Sequence, residues 1–133
     1  MITNHGRQFV RNSMVGQSDK PSVIALGVGS QALSADLVYL SNEVSGTRKV
    51  FTTFAGSDYE VYVSGMFYSV PLSGYSISEF GVFPNTKTGW SSTPAGVSGI
   101  NLVGGSPWSI YGFSGVQCDG NTEVYINVRY KLY

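Results

Sequence analysis

Two short stretches constrain this chain more than any others: residues 23–29, which end in Gly27-Val28-Gly29, and residues 77–83, which carry Glu79 and Gly81. Each is an apolar run broken by glycine, the pattern of a buried strand whose backbone meets a close neighbour or bulges where a side chain would not fit. The second run also holds a carboxylate, Glu79, in an apolar setting. A charge there needs compensation, because an isolated ion leaves water only at great cost.

The rest of the chain reads as mainly β. A chain of 133 residues makes one domain, burying roughly two thirds of its unfolded surface, so residues 1–133 are expected to form a single unit. The one helix candidate runs over about residues 4–15, with Thr3 as cap, Gly16 as stop, and Phe9, Val10 and Met14 on the face that would pack on a sheet. Asp19-Lys20-Pro21 reads as a turn leading into a strand at 22–29, and residues 30–42 as a loop or short helical turn lying on the core. Strands are predicted at 50–54, 59–70 and 75–83, separated by turns at 55–58 and 71–74 with hairpin spacing. Residues 84–106, rich in Gly, Ser, Thr and Pro, read as an exposed loop in which only 100–103 could add a short strand. A further strand is expected at 107–113. The last run, 121–133, alternates cleanly: Val124, Ile126, Val128, Tyr130 and Leu132 on one face, Glu123, Tyr125, Asn127, Arg129 and Lys131 on the other. The expected fold is an antiparallel β-sandwich with one short N-terminal helix.

Composition narrows the function classes. Eight basic and eight acidic side chains cancel, which gives no electrostatic footprint for nucleic acid or an acidic membrane. No apolar run reaches the roughly 18 to 20 residues of a spanning helix. Met1 is followed by Thr3, Asn4 and His5 rather than by a basic segment and an apolar stretch, so no secretory leader and synthesis in a cytosol are expected. Low charge leaves little to hold copies apart, which points to assembly.

The chemistry-bearing residues do not form a catalytic constellation. His5 has no nucleophile or second metal ligand near it in sequence, and Cys118 is the single cysteine, so no metal site and no intrachain disulfide are expected. Gly27-Val28-Gly29 follows a strand as a phosphate loop would, but it lacks the third glycine, a crossover helix and an acidic ribose partner, so no nucleotide cofactor is expected. Glu43 and Glu79 could be paired as a glycosidase acid and nucleophile, yet so short a chain offers little wall for a sugar cleft, and no enzyme activity is expected. Glu79 reads better as a structural strut, hydrogen-bonded to loop amides or paired with a base such as Arg48. Trp90 and Trp108, with the tyrosines, suit either a glycan platform or a protein interface. The reading here places Trp108 in the core and Trp90 in an exposed loop, and favours an interface built from Trp90, Tyr125, Asn127 and Arg129.

The order of several segments carries a resemblance. Met1-Ile2-Thr3-Asn4, then Val15-Gly16-Gln17, the strand ending Gly27-Val28-Gly29, Asn42-Glu43-Val44, and the run from Ile77 to Phe83 with Glu79 and Gly81 follow one another over residues 1–83. This arrangement resembles small structural proteins of tailed bacteriophages and is similar to the N-terminal domain of phage tail-collar fibre proteins. The resemblance implies a non-enzymatic virion protein made in the host cytoplasm. It would assemble with its own copies, a trimer being one symmetry, and with a larger virion protein in the tail fibre, baseplate or neck. With no fibrous extension after Tyr133, an adaptor or decoration role is expected. A capsid decoration (cement) protein is the alternative within that class, and a glycan-binding module on the virion surface the alternative outside it.

Overall fold

Thr3 starts the helix and ties it down at once. Its hydroxyl accepts the Gly6 N–H at 3.0 Å, capping α1 (Asn4–Met14), and donates to the Pro107 carbonyl at 2.6 Å. The three residues before α1 lie antiparallel beside residues 108–110. Ile2 bridges Ser109, the Met1 ammonium donates to the Ile110 carbonyl at 2.9 Å, and the Thr3 N–H donates to Trp108 O at 3.0 Å. Of the expected sheet-facing stripe on α1, Val10 stands 37% exposed. The helix is attached through its capped first turn, and the Phe9 and Met14 side chains lie outside the described residues. The structure is a computed structural model and describes residues 1–14, 21–44, 46–55, 60–68, 72–84, 90–94 and 100–131.

Nine strands follow among the described residues: β1 (Pro21–Gly27), β2 (Lys49–Val50), β3 (Thr52–Ala55), β4 (Glu60–Phe67), β5 (Ser76–Pro84), β6 (Trp90–Pro94), β7 (Ile100–Gly104), β8 (Ser109–Gln117) and β9 (Val124–Lys131). They form a four-stranded sheet ordered β2-β1-β5-β8, a three-stranded sheet ordered β3-β4-β9, and a β6-β7 ribbon, all antiparallel. The architecture is mainly β and sandwich-like, as the sequence pattern predicts.

Every residue of β1 is buried. Ile24 and Leu26 point inward with Val82 and Ile77 to meet Val63, Phe67, Ile126, Val128 and Tyr130 of the smaller sheet. Val23 and Ala25 point the other way, into a second cluster with Phe83, Ile110 and Leu40. The unalternating apolar run of β1 therefore has a direct cause: the 28–44 segment folds back and covers the outer face of the larger sheet. β9 behaves oppositely, with Ile126, Val128 and Tyr130 buried and Tyr125, Asn127, Arg129 and Lys131 exposed.

Four expectations need correction. The strand expected at 50–54 is two strands in different sheets. The Phe51 N–H still donates to Ser22 O at 2.7 Å, but Pro21 has no N–H to continue that ladder, its carbonyl is taken by the Thr53 hydroxyl at 2.6 Å, and the chain crosses to pair Thr52 with Ser64. The 71–74 turn does not make a hairpin, since β4 pairs with β9 while β5 pairs with β1 and β8. Leu72 is fully buried between the sheets, Gly74 takes φ +89°, and the crossing is tied to the end of β8 by Gly74 N–H to Cys118 O (2.9 Å) and Cys118 N–H to Tyr75 O (2.8 Å). The 84–106 loop contains the β6-β7 ribbon, in which Trp90 lies opposite Gly104; Ser91, Ser92 and Thr93 form the second strand by pairing with Val103, Leu102 and Asn101. Finally, β8 runs on to Gln117 through a bulge: Ile77 faces Val116 and Glu79 faces Gly112, so β8 takes more steps than β5 between the same two rungs.

Candidate functional site

The glycines of residues 23–29 and the carboxylate of residues 77–83 belong to one cluster. β1 and β5 are antiparallel neighbours, and their register sets Gly27 opposite Glu79. A side chain at Gly27 would come within 2.6 Å of the Glu79 Cγ, and one at Gly29 within 2.7 Å of the Asn42 nitrogen. Glycine at both positions thus leaves room for a buried carboxylate and for the loop that wraps it.

Glu79 is 2% exposed. Its Oε1 accepts the Asn42 N–H at 2.8 Å and the Gly29 N–H at 3.3 Å, and its Oε2 accepts the Ser41 N–H at 3.2 Å. The Ser78 hydroxyl adds a bond to Gly29 O at 2.6 Å. One anion thereby gathers three backbone donors from two loop segments that lack a regular ladder, and charge-assisted bonds of this kind are among the stronger ones. Of the two arrangements considered for Glu79, this is the one with loop amides; Arg48 is not its partner. Arg48 instead forms a two-pronged ion pair with Glu43, Nε to Oε2 at 2.8 Å and Nη2 to Oε1 at 2.9 Å, with its guanidinium 4.0 Å from the centre of the Phe83 ring. The reason is local. Glu43 bridges Gly27 at the margin of β1, with Val28 N–H to Asn42 O and Val44 N–H to Leu26 O at 2.9 Å each, which brings its carboxylate within reach of the residue just before β2. Between these bridges Thr47 stands in for backbone: its hydroxyl accepts the Leu26 N–H at 3.0 Å and donates to Val44 O at 2.7 Å. Thr47 was not singled out from sequence, because a threonine after Ser45-Gly46 looks like ordinary turn composition.

Chemically, this cluster holds backbone in place. Both carboxylates considered as a catalytic pair are occupied, Glu43 by Arg48 and Glu79 by amides. A cavity of about 450 Å³ lies beside Glu79, lined by Ser30, Gln31, Leu33, Ser78 and Phe113 among others. Among the described residues no three His, Cys, Asp or Glu side chains gather as metal ligands. His5 lies in the first turn of α1.

The residues expected at an interface fall elsewhere. Tyr125, Asn127 and Arg129 line the outer face of β9, opposite Met66, Ser64 and Tyr62 of β4. Tyr125 is 61% exposed, and β9 is the last strand of its sheet among the described residues. Trp90 begins β6, far in sequence from β9; its side chain lies outside the described residues. Trp108 is buried, its ring tilted against Tyr130 with centroids 5.9 Å apart. Beneath it Ser109 and Tyr130 share a 2.6 Å hydrogen bond, and burial pushes the Tyr130 phenol far above its ordinary range. No helix among the described residues is long and apolar enough to cross a membrane. Compared with protein families and with curated proteins, the chain matches none.

Proposed function

We propose that this chain is a non-enzymatic structural protein of a tailed-phage virion, assembling with copies of itself and with a larger virion protein in the tail fibre, baseplate or neck region. One observation carries the reading. Gly27, Gly29, Asn42, Glu43 and Glu79, whose order in the sequence underlies the resemblance to tail-collar fibre domains, meet at one joint beside the buried Glu79 carboxylate. Residues that recur in order because they close one structural joint suit a shared scaffold, and the joint's polar groups are occupied in holding loop backbone rather than presented to a substrate. The outer face of β9, which presents Tyr125, Asn127 and Arg129, supplies tyrosine and arginine, residue types that protein interfaces favour.

The test is location. Gold-labelled antibody against this protein, applied to intact virions of the phage that encodes it, is expected to mark the tail or neck. Label confined to capsids supports the decoration alternative, and absence of label from virions overturns the proposal. A glycan array probed with the purified protein separates the lectin alternative, for which binding to a defined sugar is required.

A further inference from the structure

β9 has paired on one side and not, among the described residues, on the other. An open edge of eight residues is a standing template for another strand. What the edge fits can be read from its own sequence. Glu123, Tyr125, Asn127, Arg129 and Lys131 occupy alternate positions on the exposed face, with the acidic residue at one end, the basic residues at the other and the amide in the centre.

We propose that β9 pairs antiparallel with β9 of a second copy across a two-fold axis at Asn127, joining two three-stranded sheets into one. This rests on the reading that the protein self-assembles through β9, but not on where in a virion it sits. In that register Glu123 lies across from Lys131 of the second copy, Tyr125 across from Arg129, and Asn127 across from itself. On the inner face Val124 meets Tyr130 and Ile126 meets Val128. The axis repeats every pairing, so two acid–base and two tyrosine–arginine contacts form and no like charges are opposed. Shifting the axis by one residue breaks this match. Centred on Val128 it sets Tyr125 against Lys131 and carries Glu123 past the strand; centred on Ile126 it sets Glu123 against Arg129 and Tyr125 against Asn127 but leaves Lys131 beyond the overlap, a register that Lys131→Glu would leave unaffected. The inner face remains continuous, since its pairs are all apolar or aromatic and already roofed by the larger sheet.

The test uses the full chain. Sedimentation equilibrium is expected to give a dimer of twice the 14.3 kDa chain mass. Glu123→Lys alone and Lys131→Glu alone each oppose like charges at both ends of the pair and are expected to weaken dimerisation about tenfold or more. The double variant restores opposite charges and is expected to recover the affinity to within about threefold. Both residues are exposed, and although Lys131→Glu also sets a carboxylate across from Glu60 of β4, a like-charge pair at the surface costs too little to unfold the chain, so circular dichroism should be unchanged. As an independent readout, Asn127→Cys places two thiols across the axis, where antiparallel pairs bring Cα atoms to about 4.5–5.5 Å, within disulfide reach. It should oxidise to a covalent dimer, whereas Tyr125→Cys should not. A chain that stays monomeric at millimolar concentration, a trimer, or a dimer indifferent to charge reversal overturns the proposal. Virion labelling reports separately: a two-fold dimer that never appears on virions would retain this inference and discard the virion reading, and the converse holds equally.

Discussion

The two sheets are covered in opposite ways. The larger sheet is closed on both faces along β1 by the chain itself, its outer face there roofed by the 28–44 segment and that roof pinned by Glu79. The smaller sheet is closed on one face only, with the other lined by Tyr62, Ser64, Met66, Tyr125, Asn127 and Arg129. The contrast separates self-coverage from coverage by others. The 28–44 segment buries Leu40 and Val44 but leaves Leu33, Val38 and Tyr39 exposed, and a carboxylate accepting its backbone amides is an added anchor that also satisfies donors left outside any ladder. The smaller sheet has no such roof, and its outer face carries residues suited to meeting either water or a protein.

Substitutions that strip the roof should have the largest effect. Glu79→Ala leaves the Gly29, Ser41 and Asn42 N–H groups without their acceptor and should cost about 3 kcal/mol or more in urea denaturation. Glu79→Gln keeps one acceptor oxygen and should lose less. If Glu79→Ala unfolds at the same urea concentration as the parent, the roof is held by something other than this carboxylate. Gly27→Ala drives a methyl toward the same carboxylate and should cost about 1–3 kcal/mol, with hydrogen exchange accelerating first at Asn42. Thr47→Val preserves shape while removing the hydroxyl that receives the Leu26 N–H, for an expected loss of about 1–3 kcal/mol. On the smaller sheet the expectation reverses: Tyr125→Ala and Asn127→Ala should change folding stability by no more than about 0.5 kcal/mol while lowering association. A large stability loss there would erase the distinction between the sheets.

The smallest effect concerns pH. In the turn between β8 and β9, the Asn121 N–H and the Thr122 hydroxyl, at 2.8 and 3.0 Å, hold the Asp119 carboxyl below its ordinary value. A depressed carboxyl stabilises the fold above its unfolded value of about 4 and ceases to do so as the pH falls through the lower folded value. Asp119→Asn should therefore narrow the stability gap between pH 6 and pH 2.5 slightly, and an unchanged gap would show that this turn carries no acid sensitivity.

What could be read from sequence was local. The unbroken apolar run of β1 and the alternation of β9 each declare their surroundings within a few residues, and Glu79 stood out because a charge amid apolar neighbours requires donors. The pairing of Arg48 was not legible, because it depends on the bridge between Glu43 and Gly27, a contact set by chain reversal rather than spacing. The crossing at 71–74 was hidden for a related reason. A turn rich in proline and glycine serves a hairpin or a change of sheet equally, and the long-range pairing of β4 with β9 and of β5 with β1 and β8 decides between them. The β6-β7 ribbon was masked by composition, since serine, threonine and proline suggest loop until a partner strand is present.

The tie at the sheet crossing gives the molecule a built-in clock. Cys118 is 1% exposed, and burial raises its thiol above the usual value, which disfavours the reactive thiolate further. Its backbone bonds to Gly74 and Tyr75 extend the β5–β8 ladder within the larger sheet, and its side chain packs in the core, so the sulfur meets a reagent only when this end of the core opens. The labelling rate of this one native thiol therefore times the opening of the core at this end of the larger sheet, with no introduced probe.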